Sequence, residues 1–249
     1  MLVDYIVANP TGNITVLVTT PVDTGSRFEV VQEMFNKVPT CEQVGFITVI
    51  NNSTIKLEMM GGEFCGNATI STAAYLASVT DLQPNQQAVI NVESSGIDHQ
   101  VPVIIKCLSD NSYVGTLEMP TPTITYYDGC PLVKLDGISH LLVPAGNLSV
   151  EELETSIKRI AAELGTLALG IVQYEEDNNG ATIVPLVYVP ASDTLVWENG
   201  CASASIAVGY YRYMQNNANS NTDVLQPGGT IRISVENNRV LLTGNVHLT

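Results

Sequence analysis

Three observations predict an α+β fold made of two similar halves: short β-branched segments recur along most of the chain, each half carries an amphipathic helix, and a cysteine-headed segment occurs twice. In the first half, Ile14 to Thr19, Phe46 to Ile50, Ile55 to Met59, Ala88 to Val92, Val101 to Ile105 and Tyr113 to Met119 read as strands. Between them Phe28, Val31, Phe35 and Val38 recur at helical spacing until Pro39, which predicts a helix covering one face of a sheet. In the second half Ser149 and Glu152 read as a capping box ahead of Leu153, Ile157, Ile160 and Leu164, with Gly165 as terminator. Strands follow at Ala168 to Tyr174, Ile183 to Val189, Ile231 to Val235 and Val240 to Thr243, again a helix against a mainly antiparallel set. Pro120-Thr-Pro-Thr near the midpoint places the boundary, so residues 1–119 form one half and 120–249 the other, the last strand being free to pack on the first half.

Composition narrows the function. Of 249 residues 45% are hydrophobic and 6% aromatic, so the core is expected to be aliphatic. Asp and Glu number 25 against 10 Lys and Arg, and the net charge of -15 repels phosphate backbones and anionic membranes. A small molecule is therefore expected as partner, rather than nucleic acid or membrane. The first residues lack a basic stretch followed by an apolar one, and no apolar run approaches a membrane span, which predicts a cytoplasmic protein acting as monomer or homodimer. The five cysteines, at 41, 65, 107, 130 and 201, form no C-x-x-C pair, which predicts reduced thiols and no metal site. In that setting the glycosylation matches at Asn52-Ser-Thr54 and Asn147-Leu-Ser149 are chance.

The repeat is the most informative feature. Cys65-Gly-Asn-Ala-Thr-Ile-Ser-Thr-Ala-Ala-Tyr75 and Cys201-Ala-Ser-Ala-Ser-Ile-Ala-Val-Gly-Tyr-Tyr211 agree at Cys, Ala and Ile and pair Thr with Ser. Both continue with small and apolar residues around the whole helical circumference, as a helix buried in a core requires. A cysteine at a helix start sits in partial positive charge, which predicts a lowered pKa, and the unpaired N–H groups beside it suit an α-carboxylate. Two such thiols on opposite faces of an α-carbon could remove a proton and return another, inverting the centre without a cofactor.

Gly61-Gly-Glu-Phe-Cys65-Gly-Asn-Ala-Thr69 and Trp197-Glu-Asn-Gly-Cys201 resemble the two active-site segments of the diaminopimelate epimerase superfamily. Thr11-Gly-Asn13 is similar to its N-terminal turn, Gly45-Phe46 to another early turn, and Gln226-Pro-Gly-Gly229 to its Pro-Gly-Gly turn into a strand. The resemblance implies two pseudo-symmetric halves, each a barrel-like sheet around its central helix, with the site in the cleft between them. It implies Cys65 and Cys201 as the two bases, Asn13 as a substrate contact, and N–H groups around Gly66, Asn67, Ala202 and Ser203 as the carboxylate cradle. Diaminopimelate is disfavoured, since Glu198 is followed by Asn199 instead of Arg and the usual Gly-Asn-Pro-His reads Gly137-Ile-Ser-His140. Cys-Glu-Gln-Val-Gly-Phe (41–46) and Trp-Glu-Asn-x-Cys (197–201) instead resemble the cofactor-independent histidine racemases of the superfamily. Glu42 could then accept an imidazole N–H, with His140 and Glu198 lining the site. Two rivals stay open: a cysteine hydrolase or transferase with His140 as base, and a silent amino-acid-binding protein.

Overall fold

In a computed structural model of the chain, residues 3–146, 148–177, 180–216 and 218–249 are described. Asn147 of the second glycosylation match lies outside the described residues. The elements run β1 (Tyr5–Pro10), β2 (Thr15–Val18), α1 (Arg27–Lys37), β3 (Gln43–Asn51), β4 (Thr54–Met59), α2 (Gly66–Val79), β5 (Gln87–Ser94), β6 (Gln100–Ser109) and β7 (Ser112–Met119). They continue with β8 (Thr123–Tyr127), β9 (Cys130–Leu135), β10 (Ile138–Pro144), α3 (Val150–Leu164), β11 (Leu169–Glu176), β12 (Gly180–Val189), β13 (Thr194–Trp197), α4 (Ala202–Asn216), β14 (Ser220–Gln226), β15 (Gly229–Glu236) and β16 (Arg239–Leu248). The fold is mixed α+β and dominated by sheet.

The chain divides into two compact units, one formed by the residues up to Glu118 with Thr243–Thr249, the other by Met119–Leu242. In the first unit the strands follow in order from β1 to β7 and then to β16, and β16 pairs back onto β1 through Ala8 with Leu248 and Pro10 with Val246. An eight-stranded barrel results. Helix α2 packs against β1 through β6, and most of its residues are buried, which its alanines at 68, 73, 74 and 77 permit. The fit leaves no room for a larger residue at Gly115 on β7, where a Cβ would run into Ile70 of α2. Strands β2 with β3 and β4 with β5 pair in parallel, and α1 and α2 are their crossovers.

Helix α1 forms as expected, but its buried face is Val30, Val31 and Met34, packed with Val16, Val18, Val44 and Phe46. Phe28 is 75% exposed, a correction to the predicted face. It stands in the first turn, while the apolar stripe that reaches the sheet starts two residues later. Phe46 lies in β3 as its strand signal predicts, whereas Gly45, read by resemblance as part of a turn, lies in the same strand, where a Cβ would push aside the Leu57 side chain.

In the second unit the strand order is β16, β15, β14, β12, β11, β10, β9, β8, with β13 beside β12. Helix α4 packs against β9 to β12, β14 and β15, and α3 lays Leu153, Ile157 and Ile160 against Leu141, Leu169, Ile171 and Leu186. The α3 capping box is present, with Ser149 Oγ accepting from the Glu152 N–H and the Glu152 carboxylate accepting from the Ser149 N–H, and Gly165 ends the helix at φ 61°. Parallel pairing again accompanies helical crossovers, at β10 with β11 and at β12 with β14. Pro120 to Pro122 fall between β7 and β8 outside any strand.

The contact between α4 and β15 is close enough to test. A Cβ on Gly209 would stand 2.7 Å from Cβ and Cγ2 of Ile233, both beside the backbone and unable to swing away. Gly209→Val should lower unfolding stability in urea by about 1–3 kcal/mol. Ile233→Ala should cost less in the Gly209→Val background than in wild type, because it removes the clashing Cγ2, and strict additivity of the two changes would contradict the packing.

Candidate active site

Each cysteine of the repeated pair stands immediately before a buried helix. Cys65 has extended backbone at φ -125°, ψ 113°, and its carbonyl accepts from the N–H of Thr69 at 2.9 Å and from Thr69 Oγ1 at 2.8 Å. The same local pattern follows Cys201, whose carbonyl accepts from Ser205 N at 3.1 Å and Ser205 Oγ at 2.8 Å. The hydroxyl four residues on thus anchors each cysteine, which explains why the repeat pairs Thr with Ser. Gly66 and Asn67, and likewise Ala202 and Ser203, open the first helical turns, where N–H groups have no partner within the helix.

Around Cys65 the side chains form a directed chain. Asn13, buried after the Thr11-Gly12 turn, donates from Nδ2 to Glu42 Oε2 at 2.5 Å. Its Oδ1 accepts from Gln43 Nε2 at 2.6 Å and from Asn67 Nδ2 at 3.3 Å. Gln43 Nε2 also donates to Thr15 Oγ1 at 2.8 Å, and its Oε1 accepts from Cys65 Sγ at 3.4 Å. Asn13, Glu42, Cys65, Gly66 and Asn67 are therefore brought together in one unit. Gln43, which sequence reasoning passed over, links them.

Cys201 is held differently. Its backbone N–H donates to Gln226 Oε1 at 2.7 Å, Gln226 Nε2 donates to Ser205 Oγ at 2.9 Å, and Ser205 Oγ returns to the Cys201 carbonyl. This closed ring fixes both backbone polar groups of the residue. Gln226 was part of the Pro-Gly-Gly motif but was not read as a site residue. The Cys201 sulfur lies 3.4 Å from Ser203 Oγ, which is 2.8 Å from His140 Nε2.

His140 is fully buried on β10, paired in register with Gly170, where any Cβ would overlap its ring. Nδ1 has no hydrogen-bond partner among the described residues, so the proton belongs on Nε2, because a buried lone pair costs less to leave unmatched than a buried N–H. His140 then donates to Ser203, whose own proton is free to point at sulfur. Burial lowers the His140 pKa to about 3, so the ring is neutral and a poor general base, which counts against the hydrolase reading.

Burial also pushes the Cys201 thiol well above its ordinary value, the charge of Glu198 adding to the effect while the hydrogen bond from Ser203 opposes it. This corrects the expectation of a lowered pKa at the helix start. Loss of water around sulfur outweighs the partial charge of the helix end in the ligand-free protein. None of the five cysteines, all among the described residues, is in a disulfide; Cys41 and Cys107 are buried, and Cys41 Sγ donates to the Gln43 carbonyl. Among the described residues no group of three His, Cys, Asp or Glu is arranged to hold a metal, and no helix is long and apolar enough to cross a membrane.

Comparison with known proteins gives a consistent result. The profile of the histidine racemase CntK N-terminal domain matches residues 2–248. A histidine racemase of Fusobacterium nucleatum subsp. nucleatum is 30% identical over 99% of this chain and 95% of its own, and one of Staphylococcus aureus is 27% identical over 94% and 88%. Among solved structures, a predicted epimerase from Pseudomonas aeruginosa superposes with a TM-score of 0.70 at 12% identity over 98% of this chain and 96% of its own. The PhzF-family phenazine biosynthesis protein of Bacillus anthracis gives 0.69 at 13% identity, over 99% and 96%. Identities this low establish the likeness of fold alone.

The state of His140 has a measurable consequence. Its folded pKa lies below the unfolded value near 6.5, so as pH falls from 6.5 toward 3 the unfolded chain takes a proton that the native protein refuses. Native stability is complete above pH 6.5 and declines below it by up to about 1.4 kcal/mol per pH unit from this residue. Urea unfolding at pH 7, 5 and 4 should show wild type losing that much more than His140→Gln. Equal slopes would mean that the ring titrates freely.

Proposed function

The chain belongs to the family of the histidine racemase CntK N-terminal domain, and we propose that it interconverts L- and D-histidine by proton transfer at the α-carbon through Cys65 and Cys201. The observation that carries this reading is the pair of cysteines, each set before the first turn of a buried helix and anchored by the hydroxyl four residues later. One sulfur takes the α-proton and the other delivers a proton to the opposite face. The N–H groups of Gly66, Asn67, Ala202 and Ser203 are suited to hold the α-carboxylate and to stabilise the charge that builds on it as the proton leaves.

The remaining residues take graded roles. Glu42 accepts an imidazole N–H of the substrate, a charge-assisted bond that a substrate with an acidic side chain could not make. Ser203, held by His140, places a proton beside Cys201 when the sulfur is charged, and Glu198 is close enough to affect the charge on Cys201. The route needs no electron sink beyond these groups, and we read the protein as a cofactor-independent enzyme of the cytoplasm. We also place the chain in the diaminopimelate epimerase superfamily with residues 1–119 and 120–249 as pseudo-symmetric repeats; the shared Cys-x-x-x-[Thr/Ser] anchoring supports this.

Proton NMR of L-histidine in D2O, with chiral chromatography of the product, tests the proposal. Loss of the α-proton signal with D-histidine appearing is expected, and Cys65→Ser or Cys201→Ser should each slow inversion by roughly a hundredfold or more. No exchange with histidine would overturn the reading. Glu42→Ala should raise the KM for histidine by about tenfold, and an unchanged KM would remove Glu42 from the recognition of imidazole.

A further inference from the structure

We propose that Gln43 is a positioning residue that holds Cys65 in its thiol form, and that Glu42 dictates the orientation of Gln43 through Asn13. The argument is one of hydrogen-bond direction. An ionised carboxylate only accepts, so the Asn13 amide turns its NH2 group toward Glu42 Oε2. Its oxygen must then face the other way, where it accepts from both Gln43 Nε2 and Asn67 Nδ2. Gln43 is fixed in turn, and a second contact agrees: its Nε2 donates to Thr15 Oγ1, whose own proton goes to the Asn13 carbonyl at 3.1 Å.

With its NH2 group committed, Gln43 presents only Oε1 to Cys65 Sγ, at 3.4 Å. A carbonyl oxygen cannot donate, so the sulfur has to supply the proton. A thiolate at that position would face the negative end of the amide dipole. Each link has a single allowed polarity, and freeing the first lets the last reverse once the Thr15 hydroxyl rotates from the Asn13 carbonyl to donate to Gln43. Glu42 thereby influences Cys65 without needing to touch it. The catalytic meaning of this, that Cys65 meets substrate as the proton donor, rests on the racemase reading, whereas the hydrogen-bond relay itself does not.

The relay is tested without turnover. The rate of Cys65 alkylation by iodoacetamide would be followed on the full chain at pH 7.5 without substrate, using peptide-resolved mass spectrometry, with Cys201 alkylation and the thermal melt as controls. Glu42→Gln lets the first amide donate or accept, freeing Asn13 and Gln43 to turn NH2 toward sulfur. Alkylation of Cys65 should rise roughly fivefold, the size of one reversed hydrogen bond. Asn13→Ala breaks the relay at its middle and should give the same rise, which keeps the test open if Glu42→Gln folds poorly. In a Gln43→Leu background, Glu42→Gln should add nothing. An unchanged Cys65 rate in both single variants, or an equal rise with and without Gln43, would overturn the relay while leaving the racemase proposal standing. Loss of histidine exchange with an intact relay would do the reverse.

Discussion

Burying a helix on every side creates a demand that the rest of each unit answers. The side chains around its circumference have to be small or aliphatic, the strands around it have to come close, and its first N–H groups are left without helical partners. In α2 the alanines and the Ile70 contact with Gly115 meet the packing demand, and in α4 the Gly209 contact with Ile233 does the same. The N–H groups of the first turns are the chemical residue of this arrangement. A carboxylate is the ligand they suit best, which is why a fold of this kind lends itself to amino-acid chemistry.

The two cysteines share an anchor but not an environment. Cys65 retains some exposure and is addressed at its sulfur by Gln43, at the end of a polar chain that begins with a carboxylate. Cys201 is buried, and its backbone is clamped by the Gln226–Ser205 ring while its sulfur sits between Ser203 and the influence of Glu198. The proposed two-base reaction needs one acid and one base in any given direction, and unlike surroundings would keep the two distinct.

Much of this was legible in the sequence because it rested on strong local patterns. The capping box at Ser149 and Glu152 and the Gly165 stop are complete within a few residues, and the paired Cys segments announce their burial through composition. Less visible were β1, β9, β10 and β14, whose prolines at 10, 131 and 144 or polar run Ser220-Asn-Thr-Asp223 dilute the β-branched signal, and β8 and β13, which are only five and four residues long. Tertiary pairing makes them strands. The site divides in the same way: the cysteines and Glu42 stand in recognisable motifs, whereas Gln43 and Gln226 matter because of what lies across space from them. The Cys201 thiol was misread because a helix start was weighed without the desolvation that comes with a fully buried sulfur.

The barrel of the first unit is closed by residues far apart in the chain, since Ala8 to Pro10 pair with Val246 to Leu248. During synthesis the strands from β1 to β7 leave the ribosome long before their eighth partner exists. Until residues 246–248 emerge, β1 has an unmatched edge, and the N-terminal unit cannot reach its final form however slowly translation proceeds. The intervening segment, Met119–Leu242, has all of its own contacts available first. Maturation thus runs against the usual order in which the N-terminal part folds ahead of the rest, and the waiting edge is where a nascent chain of this protein would depend most on chaperone cover.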